Sequence, residues 1–252
     1  MKQRPRVHIA ELYFVLSTKK ANERRTFWRH RDNPSPEFHA HLFDPTWLEQ
    51  NNCIVNSASA GRGGTHFIRV DDTDLVLRQY RRGGMVRSIS DNAYTWTGLT
   101  RTRAWREFDV LIQLEQHNLP APRPYACMVS KRTFSYTASL MTYFLPGITL
   151  ADHICNGNPT LDTWHAIGRC IRRFHDLGVD HADLNAHNIL LGEHEAVSLI
   201  DFDRATITVP QARSAQRNLN RLQRSLDKIG SSGPANYDQT SWQALVQGYK
   251  ST

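Results

Sequence analysis

A chain of 252 residues, 40% apolar and 22% charged, can bury a core as one domain or as two small lobes. Its net charge of +7 favours anionic partners: a nucleotide, a phosphorylated glycolipid, a membrane surface or nucleic acid. Nowhere do about 18 apolar residues run together, and the short apolar run over 9–16 is broken by Glu11, so neither a spanning helix nor a signal-peptide core is expected. Cys53, Cys127, Cys155 and Cys170 form no Cys-x-x-Cys pair and read as small buried hydrophobes in a reducing compartment.

Residues 1–50 interleave Lys19, Lys20, Arg24, Arg25, Arg29 and Arg31 with Phe27, Trp28 and His30. They read as an N-terminal extension, either solvated with its aromatics packed on the first lobe or touching lipid. Asp44 and Pro45 suit the cap and first position of a short helical turn over 43–48. Strands over 53–59 and 65–70 flank Gly61-Arg-Gly-Gly64; glycines let a backbone approach phosphates and aim N–H groups at them, although a plain hairpin turn has the same signature. The next strand, 75–80, carries Arg78, either an ordinary surface arginine or a planar fork able to clamp phosphate oxygens. Arg81, Arg82 and Arg87, with Gly83 and Gly84, form a basic segment that could meet a phosphorylated substrate.

Trp105, Phe108, Leu111 and Ile112 have helical spacing and set a helix over 102–115. Prolines at 120, 122 and 124 stop it, and strands follow from 124 and over 135–144. Leu145-Pro-Gly147 marks a break between lobes. Helices are expected over 149–155 and 161–177, the second with a core stripe of Trp164, Ile167, Ile171, Phe174 and Leu177.

The most informative stretch is His181-Ala-Asp-Leu-Asn-Ala-His-Asn188, followed by Ile-Leu-Leu and, after a polar turn, by Leu199-Ile-Asp-Phe-Asp203. Residues 189–191 and 197–200 read as a short hairpin, which fixes both acidic loops at one end of a ribbon. Such loops suit magnesium-dependent phosphoryl transfer. Asp183 would orient a hydroxyl and take its proton, while Asn188 and Asp201 offer oxygen donors to a hard cation and His181 braces the loop. Further on, Arg213, Arg217, Arg221, Arg224 and Lys228 line one side of a helix over 211–229, with Leu219, Leu222, Leu226 and Ile229 nearly opposite. The basic side suits solubility or an anionic lipid or phosphosugar contact. A weak helical signal around Trp242, Leu245 and Val246 closes the chain.

His181-x-Asp183-Leu184-x-x-x-Asn188, with Asp201-Phe202 beginning 18 residues after Asp183, resembles the protein-kinase-like superfamily. The wording of both loops, the Arg78-Gln-Tyr-Arg-Arg-Gly-Gly84 segment and the basic helix are similar to the Kdo kinases of Gram-negative bacteria, over roughly residues 53–229. The resemblance implies an α+β, two-lobed protein-kinase-like fold, with an N-lobe over 51–145 and a helical C-lobe over 146–252. It further implies ATP and Mg²⁺ as cofactors, adenine against the 145–148 segment, Gly61, Gly63 and Gly64 near phosphates, and Arg78 braced by Glu107. Glu115 is the alternative brace, disfavoured by its place at the helix end. Arg78 stands where the wider superfamily has lysine, His66 where it has a third glycine, and Asp203 where it has the glycine after Asp-Phe; the last points to a small-molecule substrate.

By resemblance the acceptor is the 4-hydroxyl of Kdo on Kdo-lipid IV-A, reached by a peripheral protein at the anionic cytoplasmic face of the inner membrane. No nucleic acid and no obligate protein partner is expected. A kinase for a heptose or another small hydroxyl compound is the alternative enzyme. A catalytically dead, kinase-shaped binding module would be expected to lack Asp183, Asn188 or Asp201, all of which are present.

Overall fold

The computed structural model describes residues 13–20, 23–30, 36–58, 64–80, 94–157, 159–231 and 237–251. The chain divides into two compact units, residues 1–112 with 123–144, and residues 113–122 with 145–252.

The first unit is built on β1 (Tyr13–Lys20), β2 (Glu23–His30), β3 (Ile54–Ala58), β4 (Thr65–Val70), β5 (Thr73–Tyr80), β6 (Tyr94–Thr95), β7 (Pro124–Lys131) and β8 (Ser135–Tyr143). They form one antiparallel sheet in the order β1-β2-β7-β8-β5-β4-β3, with β6 also on β8. Between β2 and β3 lies α1 (Pro45–Gln50), whose first turn is capped by Asp44 accepting from Thr46 N at 3.0 Å, with Pro45 as its first residue. A second helix, α2 (Arg103–Gln116), follows β6.

Residue 50 is therefore not a boundary in the fold. The segment read as an extension supplies β2, hydrogen-bonded along β7 from Arg24↔Lys131 to Arg29↔Ala126, and β1 beyond it. Both large side chains of β2 are buried, on opposite faces as strand geometry requires. Phe27 joins a core of Leu42, Phe43, Leu48, Tyr125 and Met128, while Trp28 meets Trp105 of α2 at 4.8 Å between ring centres. A strand covered on both faces shows no apolar–polar alternation, which is why its sequence is hard to read.

The second unit begins in the last turn of α2 and continues, after residue 144, through β9 (Ile148–Thr149), α3 (Leu150–Asn156), α4 (Leu161–Leu177), β10 (Val179–Asp180), β11 (Ile189–Leu191), β12 (Val197–Leu199), β13 (Thr206–Ile207), α5 (Ala212–Ser231) and α6 (Gln239–Lys250). Thr149 and Thr160 cap α3 and α4, accepting from Asp152 N and Thr163 N. The stripe expected on α4 is buried through Trp164, Ile167, Ile171 and Phe174. Helix α6 lies so close on α4 that a Cβ at Gly168 would stand 2.0 Å from the Leu245 carbonyl oxygen, and one at Gly248 2.2 Å from that of His165. Backbone contact this close admits only hydrogen at both positions.

Of the cysteines, Cys127 and Cys170 are buried and burial raises their thiol pKa values, the second to about 12. Cys155 is exposed and Cys53 half-buried, contrary to the reading of all four as interior residues. No helix among the described residues is long and apolar enough to cross a membrane.

Candidate active site

In the second unit, α4 ends at Gly178, whose left-handed φ of 87° turns the chain into β10. Strand β10 pairs with β13, Val179 opposite Ile207 and Asp180 opposite Thr206. After the loop, β11 and β12 form the expected hairpin, Ile189 opposite Leu199 and Leu191 opposite Val197. The two acidic loops thus leave neighbouring strands.

Their spacing is fixed by hydrogen bonds within and between them. Asn188 Nδ2 donates to the Asp183 carbonyl at 2.9 Å, and Ile200 N donates to the Asn188 carbonyl at 3.0 Å. His181, 2% exposed, joins both loops: Nε2 bonds the Ile200 carbonyl at 3.0 Å and Nδ1 accepts from Asp183 N at 3.3 Å. One ring nitrogen donating and the other accepting is the neutral imidazole. Burial, the largest cause, holds the His181 pKa below its ordinary 6.5. The ring packs 4.8 Å from that of Phe202, itself stacked on Phe174 of α4.

Asp183 is the exposed member, its side chain 59% accessible, with Oδ1 3.3 Å from Arg221 Nη1. Asn188 is buried, and with its amide nitrogen spent on the loop its Oδ1 is the atom left to face a cation. Asp201 follows directly on Ile200 with a left-handed φ of 62°, an uncommon conformation for a non-glycine residue and one found preferentially at functional positions. Asn188 and Asp201 suit Mg²⁺ in donor type. No three His, Cys, Asp or Glu side chains cluster as a metal site among the described residues. A cation held by these two would be completed by phosphate oxygens and water, as Mg²⁺ commonly is.

Sequence reasoning missed Asn218 of α5. Only 1% exposed, it accepts from His181 N at 2.9 Å, donates to Asp180 at 2.9 Å and bonds His175 Nε2 at 3.3 Å. An asparagine beside Leu219 and Leu222 on an apolar helix face is the signal that could have marked it. Ser225 Oγ adds a contact to Ala186 N at 3.2 Å. The basic stripe is partly committed as well, since Arg217 pairs with Asp180 and Arg221 with Asp183.

In the first unit, Arg78 of β5 pairs with Glu107 of α2, and Tyr80 also donates to Glu107. Glu107 is 4% exposed and Arg78 24%. The arginine lies over the Tyr80 ring at 5.1 Å. Burial, then the Glu107 charge, holds the Tyr80 hydroxyl well above its ordinary pKa, so it stays a donor. Gly64 stands at the start of β4, its carbonyl accepting from Gln79 N at 2.9 Å beside Arg78. Gly61 and Gly63 lie outside the described residues, as do Arg81, Arg82 and Arg87.

A sheet unit carrying a buried cation–glutamate pair, and a helical unit carrying an Asp–Asn loop tied to a second Asp loop, define a phosphotransferase of the protein-kinase-like class. The family comparison narrows this: residues 45–249 match the lipopolysaccharide kinase (Kdo/WaaP) family, and the chain belongs to it, which makes it a sugar kinase. It is 41% identical over 188 residues to a 3-deoxy-D-manno-octulosonic acid kinase of Xylella fastidiosa (strain 9a5c), covering 75% of each chain. It is 42% identical over 195 residues to that of Xanthomonas euvesicatoria pv. vesicatoria (strain 85-10), covering 75% of this chain and 76% of the relative. With that of Xanthomonas campestris pv. campestris (strain B100) it shares 44% over 173 residues, 67% and 68% of the two chains.

Proposed function

We propose that this protein transfers the γ-phosphoryl group of ATP to the 4-hydroxyl of the Kdo sugar of Kdo-lipid IV-A in lipopolysaccharide inner-core biosynthesis. The observation that carries this reading is the tie through His181 and Asn188, which holds the loop of an accessible carboxylate, Asp183, to the loop that leads into Asp201. The names of the relatives support the sugar, 3-deoxy-D-manno-octulosonic acid; the 4-hydroxyl and the lipid IV-A carrier follow from the family resemblance alone.

In this reading Asp183 accepts a hydrogen bond from the sugar hydroxyl, aligns it on the phosphorus and takes its proton as the bond forms. Asn188 and Asp201 hold Mg²⁺. The ion, when bound, neutralises charge on the nucleotide phosphates. Arg78, kept in place by Glu107 and Tyr80, binds phosphate oxygens, and the backbone around Gly61, Gly63 and Gly64 approaches them. A peripheral position at the cytoplasmic face of the inner membrane gives access to the glycolipid, and the net charge of +7 suits an anionic surface.

The test is transfer of labelled γ-phosphate from Mg-ATP to Kdo-lipid IV-A by wild type and Asp183→Asn side by side. Label in the glycolipid with wild type alone is the expected result. No label with folded, ATP-binding wild type would discard this acceptor, and omission of Mg²⁺ without loss of rate would remove the metal from the reading.

A further inference from the structure

The cations of α5 crowd into a narrow arc. At 100° per residue Arg213, Arg217, Arg221, Arg224 and Lys228 fall within about 80°, while Asp227 is the only acidic residue of the helix. A surface built for solubility mixes both signs; this one does not. Arg217 and Arg221 are neutralised by Asp180 and Asp183, whereas Arg213 and Arg224 have no carboxylate partner among the described residues. With Gln216, Arg217 and Asn220 these two line an open groove of about 370 Å³. Three guanidinium groups around one groove repel each other unless an anion or solvent lies between them.

Arg217, which lines the groove, also reaches Asp180, three residues before Asp183. Helix α5 runs beside the Asp183 loop, with Arg221 at Asp183 and Ser225 at Ala186. Arg224 is less than one helical turn, about 5.4 Å, beyond Arg221 along the axis. The Arg221 Nε is shut off from solvent without a hydrogen-bond partner, so this guanidinium holds donor capacity beyond its bond to Asp183.

We propose that this groove is the subsite for the acid group of the acceptor, a sugar carboxylate, bound by Arg213, Arg217 and Arg224 with the amides of Gln216 and Asn220, while Arg221 aims Asp183 at the sugar hydroxyl. The inference rests on the sugar-kinase reading with an octulosonic acid as acceptor. Planar guanidinium forks match a carboxylate in two-point hydrogen bonds, and several around one groove make the acid a recognition element as well as a charge.

The test is the double variant R213A/R224A, which removes the two uncompensated charges and leaves both ion pairs. It is assayed with the Kdo glycolipid and with the same acceptor reduced from acid to alcohol at the sugar carboxyl. The KM for the acid acceptor should rise about tenfold or more, as expected for lost charge-assisted bonds, with the KM for ATP within about twofold. The reduced acceptor should give wild type and variant the same KM. An equal loss on both acceptors would overturn the proposal, making the row a general contact for lipid phosphates or membrane; so would an unchanged KM on the acid. Failure of the kinase reading looks different, since wild type itself then transfers nothing. Calorimetric titration with the free sugar acid decides in that case: binding by wild type that R213A/R224A loses supports the subsite, and absent or equal binding overturns it.

Discussion

The two charged constellations of this protein are built on opposite plans. In the first unit the pair proposed to grip phosphates is itself buried at its acid: Glu107 is 4% exposed and accepts from both Arg78 and Tyr80. In the second the carboxylate proposed as the base stands in solvent, with Asp183 59% exposed, while His181, Asn188 and Asn218, which frame its loop, lie in the interior. A group that grips a ligand already rich in charge can be part of the core. One that must meet an exchanging sugar hydroxyl has to stand outside while its frame is locked. Mutations should therefore separate turnover from stability in the second unit and couple binding to stability in the first.

The largest expected effect tests the exposed side of this contrast. Asp183→Asn should lower kcat by roughly 10²–10⁴-fold, the usual contribution of a positioned base, with ATP binding largely kept. Its melting temperature should barely move, because an ion pair as exposed as Asp183–Arg221 contributes about 0–1 kcal/mol. Asp201→Ala should abolish turnover in a folded protein. A variant at 183 that unfolds, or one at 201 that turns over normally, would break the comparison.

Glu107→Ala tests the buried side. Removing one partner of a buried pair costs about 3–5 kcal/mol, and here the Tyr80 hydroxyl also loses its acceptor. Urea unfolding should show a loss of that size together with a raised KM for ATP. Glu107→Gln keeps a partner for Tyr80 and should lose less. Unchanged stability in Glu107→Ala would mean that the pair is no part of the core.

What was legible in the sequence follows the same division. Asp183, Asn188 and Asp201 stand in short, dense patterns, whereas Arg78 and Glu107 each leave an alternative open; the structure brings Arg78 to Glu107 and both acidic loops to neighbouring strands. The strand order was beyond reach, because β2 is covered on both faces and joins β7 across about a hundred residues. Asn218 was missed because its partners His175, Asp180 and His181 stand 37 to 43 residues earlier in the chain, and only its place on the apolar face of α5 marks it locally. The basic stripe was visible as periodicity, but periodicity cannot tell which arginines meet a carboxylate.

A smaller effect probes the support behind the loop. Gly168→Ala forces a methyl group to within 2.0 Å of the Leu245 carbonyl oxygen and 2.6 Å of Tyr249 N, both backbone atoms of α6 that cannot rotate away. Overpacking of this kind costs about 1–3 kcal/mol. Tyr249 also holds His175 Nδ1 at 2.9 Å, so displacement of α6 should loosen the His175–Asn218 contact behind the loop. Thermal unfolding should show the loss; a melting temperature equal to that of wild type would mean that α6 can slide without cost.

The smallest effect is a pH dependence, and it separates frame from base most finely. Burial holds His175 and His181 below the ordinary imidazole pKa of 6.5. Below about pH 6.5 the unfolded chain therefore takes up protons that the folded chain refuses. Stability is present in full above that pH and falls as the pH drops toward the folded-state values. The melting temperature should be flat from about pH 7 to 8 and decline below about 6.5, before most carboxylates begin to protonate. His181→Asn should flatten that decline. A His181 ring signal that titrates at 6.5 in the folded protein would contradict the buried frame, because a proton on Nδ1 removes the acceptor for Asp183 N and frees the backbone of the base.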